Sequence, residues 1–331
     1  MSESSTSFDL ARSINKTNVL FFLIGLFLIV FLLRQINLIE LQKQILGISW
    51  EFLLAGGGLY FLKACLRAFR LNRLGSELVM PYGRVLRLSL ATSLATQTLP
   101  LKLGEFSYVY LLKREKDTST AQGFSALIVV RFMDLLAVGL IYLALTLTFD
   151  SQNSIAQVEQ AIIFLGLLIG GLGILMLISY ISPKILLINN QNKKIENTLS
   201  PLLNWLQKFF SYFRAYNSAQ FAQWLILALI EWICNYSMFH VLLLGMNIPL
   251  TFFHTSTAVT FAAIASALPV NAIGSFGSQE VGWIAALIML QVETQVAIST
   301  AFSTHILSLG YIIFFGGVAW LSYLLPSKSS H

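Results

Sequence analysis

Charged side chains are too scarce in this chain to coat a water-facing surface. Asp, Glu, Lys and Arg make up 11% of the 331 residues, where an ordinary soluble domain carries roughly 25%. Hydrophobic residues reach 56%, and mean hydropathy is +0.74. A surface solvated by lipid needs few charges; one solvated by water needs many. The composition therefore specifies a polytopic membrane protein, expected to be all-α from its long apolar runs. The 25 Phe outnumber the 11 Tyr and 6 Trp, an apolar aromatic set suited to lipid and helix contacts. The net charge of +6 fits cytoplasmic loops facing anionic lipid rather than a nucleic-acid partner. Cys65 and Cys234 both sit in apolar runs, where thiols act as small hydrophobes, and no disulfide framework or metal spacing is present. The polar start, Met1 to Thr17, is read as a cytoplasmic tail and not as a signal peptide. The longest polar interval, about Ser182 to Gln220, is shorter than most domains that fold alone.

A helix needs about 20 apolar residues to cross the hydrocarbon core. Six segments meet or approach that: Asn18–Leu33, Ile48–Leu66, Gln122–Phe149, Ile155–Ile181, Phe221–Met246 and Val296–Leu325. Two further apolar regions are interrupted, Val85–Leu112 around Pro100 and Gly104, and Thr255–Leu290 around Pro269, Gly274 and Gly277. Lys and Arg concentrate on the cytoplasmic side. Arg67–Arg87 and Lys113–Ala121 are both basic, so Val85–Leu112 begins and ends in the cytoplasm and is expected to be a re-entrant hairpin. Ser182–Gln220 falls inside; Asp150–Ser154, Asn247–His254 and Gln291–Gln295 carry no Lys or Arg and fall outside. Thr255–Leu290 is then a second hairpin, entering from the other face. Arg34 and Lys43 lie outside in this threading, against the trend. The amphipathic stretch of about 195–216 is expected to lie in the cytoplasmic interface.

Each half reads helix, helix, re-entrant hairpin, helix, and the halves start on opposite sides. The expected architecture is thus an inverted repeat of six spanning helices and two opposed re-entrant hairpins. The first repeat covers 18–149, with its hairpin at about 85–112. The second covers 150–325, with its hairpin at about 255–290, and a cytoplasmic tail occupies 326–331. The breaks align, Ser93–Pro100 against Ala262–Pro269, each followed by Gly and Glu. Paired Pro/Gly-interrupted segments in opposed halves mark secondary transporters. Non-helical backbone must be buried in protein or line a wet cavity, and hairpin tips meeting at the midplane could hold an anion on their freed N–H groups. The plain alternative is that Pro and Gly only kink two long packed helices.

Ionisable groups within spans are costly and face a cavity or a partner. Lys102, Gly104 and Glu105 at the first tip, and Asn271, Gly277 and Glu280 at the second, are the leading substrate-binding candidates. Arg131 and Asp134, three apart on one helix face, form either a structural pair or a substrate contact. Glu231 and Asn235 lie four apart on another span. Glu51, Lys63, Arg67 and Arg70 read as interfacial anchors, with Arg67 and Arg70 as headgroup contacts there. His240 and His305 read as packing residues. No nucleotide loop, metal motif or nucleophile with an adjacent base is present, so neither an enzyme nor a cofactor is expected.

The run Thr98-Leu99-Pro100-x-Lys102-x-Gly104-Glu105, followed by Arg131-x-x-Asp134, resembles the transmembrane region of lysylphosphatidylglycerol synthases. The later Leu268-Pro269 with Gly274-x-x-Gly277-x-x-Glu280 is similar to that family's second motif. The chain departs from the pattern at Thr98 and Ser275, which bears on substrate more than on fold. The resemblance implies a lipid flippase without the aminoacylating domain, and a homodimer. The expected function is movement of a phospholipid, aminoacylated or other, or of a polyprenyl-phosphate-linked glycolipid between leaflets of the inner membrane, with both termini cytoplasmic. The competing class is a scaffold or accessory subunit of a lipid- or glycan-modifying enzyme. An intramembrane transferase would need acidic residues gathered on one side, whereas here they are scattered.

Overall fold

The computed structural model describes residues 38–73, 80–99, 106–115, 120–149, 162–171, 218–266 and 276–324, together with positions 34, 104, 159 and 274. The elements among these residues are all helices. In chain order they are α1 (Leu38–Leu46), α2 (Trp50–Arg73), α3 (Tyr82–Thr98), α4 (Phe106–Glu115), α5 (Thr120–Phe149), α6 (Ile162–Gly171), α7 (Ser218–Gly245), α8 (Phe252–Ser266), α9 (Ser278–Met289) and α10 (Thr294–Leu324). Among the described residues four helices, α2, α5, α7 and α10, are long and apolar enough to cross a membrane. They coincide with four of the expected spans. Asn18–Leu33 and most of Ile155–Ile181 lie outside the described residues, as do the expected interfacial helix and both tails.

Side-chain contacts fix the helix directions. α2 and α7 are antiparallel, with Phe52 against Gly245, Lys63 on Asn235 and Arg67 on Glu231. α10 runs parallel to α2: Tyr311 donates its hydroxyl to the Leu53 carbonyl at 2.7 Å, and Phe315 stacks on Tyr60. α3 is antiparallel to α10, with Arg87 over the Tyr323 ring and Trp320 Nε1 donating to the Ala91 carbonyl at 2.9 Å. Outward faces are greasy, including Leu54, Phe61, Ile226, Ile230, Phe314 and Val318, as a surface bathed in lipid requires.

The two interrupted regions each give a pair of short helices. α3 stops at Thr98 because Leu99, held extended ahead of Pro100, cannot continue it. α4 runs antiparallel to α3, with Arg87 Nη2 bonded to Glu115 Oε1 at 2.5 Å at the open end. At the other end Gly104 sits so close to α3 that a Cβ there would collide with the backbone of Ala95 and Thr96. α8 is antiparallel to α7, through Tyr236–Thr260 at 3.0 Å and His240–Thr255 at 3.2 Å. α9 is antiparallel to α10, through Trp283–Thr300 at 3.0 Å and the Glu280–His305 pair. α8 and α9 therefore oppose each other, and they close together where Gly282 meets the Phe261 carbonyl. These helices have 17, 10, 15 and 12 residues, each short of the roughly 20 that a crossing needs. Since α3 runs against α10 and α8 runs with it, the two pairs point in opposite directions.

Candidate functional site

Three helices bring their charges together, near mid-length on α5 and α7 and over the C-terminal half of α2. α2 presents Lys63, Arg67 and Arg70 at a spacing of four then three, which places them on one face. α7 answers with Glu231 and Asn235, and α5 with Arg131 and Asp134. Arg70 Nη2 donates to Asp134 Oδ1 at 2.5 Å and lies 2.8 Å from Glu231 Oε2. Arg67 Nε donates to Glu231 Oε1 at 2.9 Å, so Glu231 joins two arginines. Lys63 Nζ donates to the neutral Asn235 Oδ1 at 2.9 Å and stands 4.9 Å over the Tyr60 ring.

Burial grades this group. The Arg70 side chain is 1% exposed, with Asp134 and Glu231 buried beside it, whereas the Arg67 side chain is 29% exposed. A buried ion costs several kcal/mol unless its partners are well placed, so the Arg70 group serves first as a lock among α2, α5 and α7. Lys63 and Arg67 instead face open space. Two adjoining cavities of about 220 and 200 Å³ share Tyr60, Lys63, Arg67, Gln97, Arg131 and Ile312 in their walls. The larger reaches the last residue of α8, Ser266, and Gln279 at the start of α9. Gln97 is the last residue but one of α3, so the ends of both short-helix pairs meet at this cavity. Among the described residues no three of His, Cys, Asp or Glu stand close enough to hold a metal ion.

The family described as lysylphosphatidylglycerol synthase TM region matches residues 18–317, nearly the whole chain and every residue lining the cavities. The chain belongs to that family. No curated protein sequence matches it.

Of the residues singled out in this member of the lysylphosphatidylglycerol synthase TM region family, Lys102, Glu105 and Asn271 lie outside the described residues. Arg131 lines both cavities and Asp134 the smaller one. Asp134 is held from another helix by Arg70. Arg70, read as an interfacial headgroup contact, is buried: the acids on α5 and α7 that hold it in place are invisible to a local reading of α2. Arg67 and Lys63, read as anchors at a membrane end, reach the cavity for the same reason. Gly104 makes a close backbone contact and adds no side chain. Gly277 has φ 122, a backbone open to glycine, and its N–H donates to Glu280 Oε2 at 2.7 Å. Glu280, buried, also pairs with His305, which stacks on Phe276 with ring centroids 4.2 Å apart. These contacts give Glu280 a role in shaping the turn into α9. His305 and His240 both have polar partners. Local pattern reading missed Gln97 and Trp232 in the cavity wall. It also misplaced Lys63, although the one-face spacing of Lys63, Arg67 and Arg70 was a usable signal.

Proposed function

We propose that this protein moves the polar headgroup of a phospholipid or polyprenyl-phosphate-linked glycolipid between leaflets while the tails stay in lipid. The observation that carries this reading is the polar cavity near the middle of α2, α5 and α7, walled by Lys63, Arg67 and Arg131 and touched by both short-helix pairs. Charge at that depth is expensive unless it serves a wet pathway or a partner. The lengths and opposed directions of α3–α4 and α8–α9 support six spans with two re-entrant hairpins, the arrangement of transporters with midplane sites. On this reading the protein works in the inner membrane, with both termini cytoplasmic, and no covalent chemistry is asked of it. Lys63, Arg67 and Arg131 would draw the phosphate in, and the amide N–H groups of Gln97, Asn235 and Gln279 would donate to its oxygens as it leaves water.

The scaffold reading draws on the Arg70–Asp134–Glu231 group, which would stiffen a non-transporting protein equally well. The two part at Lys63 and Arg67, which a scaffold can keep dry. Purified protein in vesicles with fluorescent phosphatidylglycerol and phosphatidylethanolamine separates them by following leaflet exchange with an external quencher. Exchange by the native protein that falls at least tenfold in an Arg67→Ala, Arg131→Ala variant supports transport. No exchange of either phospholipid or of a polyprenyl-phosphate sugar, from protein that is folded by gel filtration, defeats it.

A further inference from the structure

On the strength of the transport reading, we infer that the buried Glu280–His305 pair is a proton-binding site, and that a proton taken up there crosses with each anionic headgroup. Glu280 comes from the first turn of α9 and His305 from α10, and both side chains are 1% exposed. An ionised carboxylate only accepts, so His305 Nδ1 carries the ring hydrogen and donates to Glu280 Oε1, while the Gly277 N–H donates to Oε2 at 2.7 Å. The other ring nitrogen, Nε2, is buried with no partner among the described residues. Its lone pair is the open place for a proton. Empty, the pair carries one negative charge; with a proton on Nε2 it is an imidazolium on a carboxylate, with no net charge. The ring lies on Phe276, with centroids 4.2 Å and planes 23° apart, and an aromatic face favours a cation above it. Holding the turn at Gly277 asks only for an acceptor, which a glutamine would supply. A titratable partner from a second helix is more than that role needs, and buried Glu and His side chains at membrane depth mark proton paths.

The pair sits beside the cavity. Gln279, next to Glu280, lines the larger cavity, and so does Ser308, whose hydroxyl donates to the His305 carbonyl at 2.9 Å. Water entering there comes within about one helical turn of Nε2. The ionisable groups on the surrounding elements are engaged elsewhere or open onto the cavity. His254 of α8 bonds Thr251, His240 of α7 bonds Thr255, and Tyr236 of α7 bonds Thr260. Glu231 of α7 holds two arginines, Tyr311 of α10 donates to the Leu53 carbonyl, and Arg87 of α3 is paired with Glu115 near the far end of α10. Lys43 of α1 is exposed, and Lys63, Arg67 and Arg131 line the cavity. The sign of the coupling follows from charge. An unprotonated pair repels a phosphate in the cavity, and a protonated one does not. By linkage the phosphate then favours the proton as much as the proton favours the phosphate, so the two move in the same direction.

The test uses vesicles carrying the full-length protein and labelled phosphatidylglycerol, with the membrane potential clamped to zero. A pH difference of one unit should hold the label at up to about a tenfold excess in the leaflet facing the alkaline side, because one unit is a tenfold ratio of protons. Protein-free vesicles should show no excess. His305→Asn, which keeps an amide donor for Glu280 but binds no proton, should abolish the excess. So should Glu280→Gln, which keeps an acceptor for Gly277. Nitrogen NMR of histidine-labelled protein in detergent reads the site without transport, the His305 signal being assigned by its loss in His305→Asn. There we expect one protonation, at Nε2, over the pH range in which exchange at equal pH quickens. A His305 ring that does not change over that range overturns the proton site. Exchange by the native protein with no excess, or with an excess on the acid side, overturns the coupling and leaves transport standing. No exchange of any lipid defeats the transport reading and the coupling with it, while protonation of Nε2 in the same protein would still support the proton site.

Discussion

Arg70 holds Asp134 of α5 and Glu231 of α7 from its place on α2, so three helices share one buried charge group. Removing one partner of such a group strands a charge in a low-dielectric interior, which costs about 3–5 kcal/mol. Asp134→Asn and Arg70→Met should therefore each lower the thermal unfolding midpoint in detergent well beyond Arg67→Ala, whose side chain is part-exposed. A smaller loss in Arg70→Met than in Arg67→Ala would remove the lock from Arg70. Glu280 offers a second single-residue test, since it caps the turn at Gly277 and meets His305. Leaving those buried donors unsatisfied costs about 1–3 kcal/mol, so Glu280→Ala should lower the same midpoint even where bound lipid is absent. At this scale the sequence was least informative. Lys63 and Arg70 lie close to the end of an apolar run and read locally as anchors. Their partners, Asn235 and Glu231, are far along the chain, and no local pattern pairs them.

Elements were far more legible. Apolar length alone placed α5 and α7 within a few residues. It ended α2 early, at Leu66, because Arg67 and Arg70 look like a cytosolic boundary when their neutralising partners are unseen. Pro100 gave the end of α3 directly, since the residue before proline leaves the helical region. The close approach of α8 and α9 at Gly282 follows from packing and not from the break signal. A larger side chain there must push on the Phe261 carbonyl and on Ala265. Overpacking of this kind costs about 1–3 kcal/mol. Gly282→Val should accordingly lower both the unfolding midpoint and lipid exchange, whereas the same change at Gly58, which faces open space, should leave exchange near the native rate. Equal effects at the two positions would mean that the α8–α9 contact is not what the function depends on.

For the whole molecule, α3–α4 and α8–α9 point in opposite directions and α2 pairs antiparallel with α7. The meeting of Gln97, Ser266 and Gln279 at one cavity is the feature that joins the halves. A transporter must let water, and then a headgroup, reach that point from at least one side. We would therefore replace Cys65 and Cys234 by Ala, introduce Gln97→Cys or Gln279→Cys, and treat oriented vesicles with a membrane-impermeant maleimide from each face in turn. Labelling of both positions, slowed by added anionic lipid, is the expected result. Complete protection of both from either face, in protein that is folded and embedded, would mean a dry interior and would contradict a lipid pathway through this cavity.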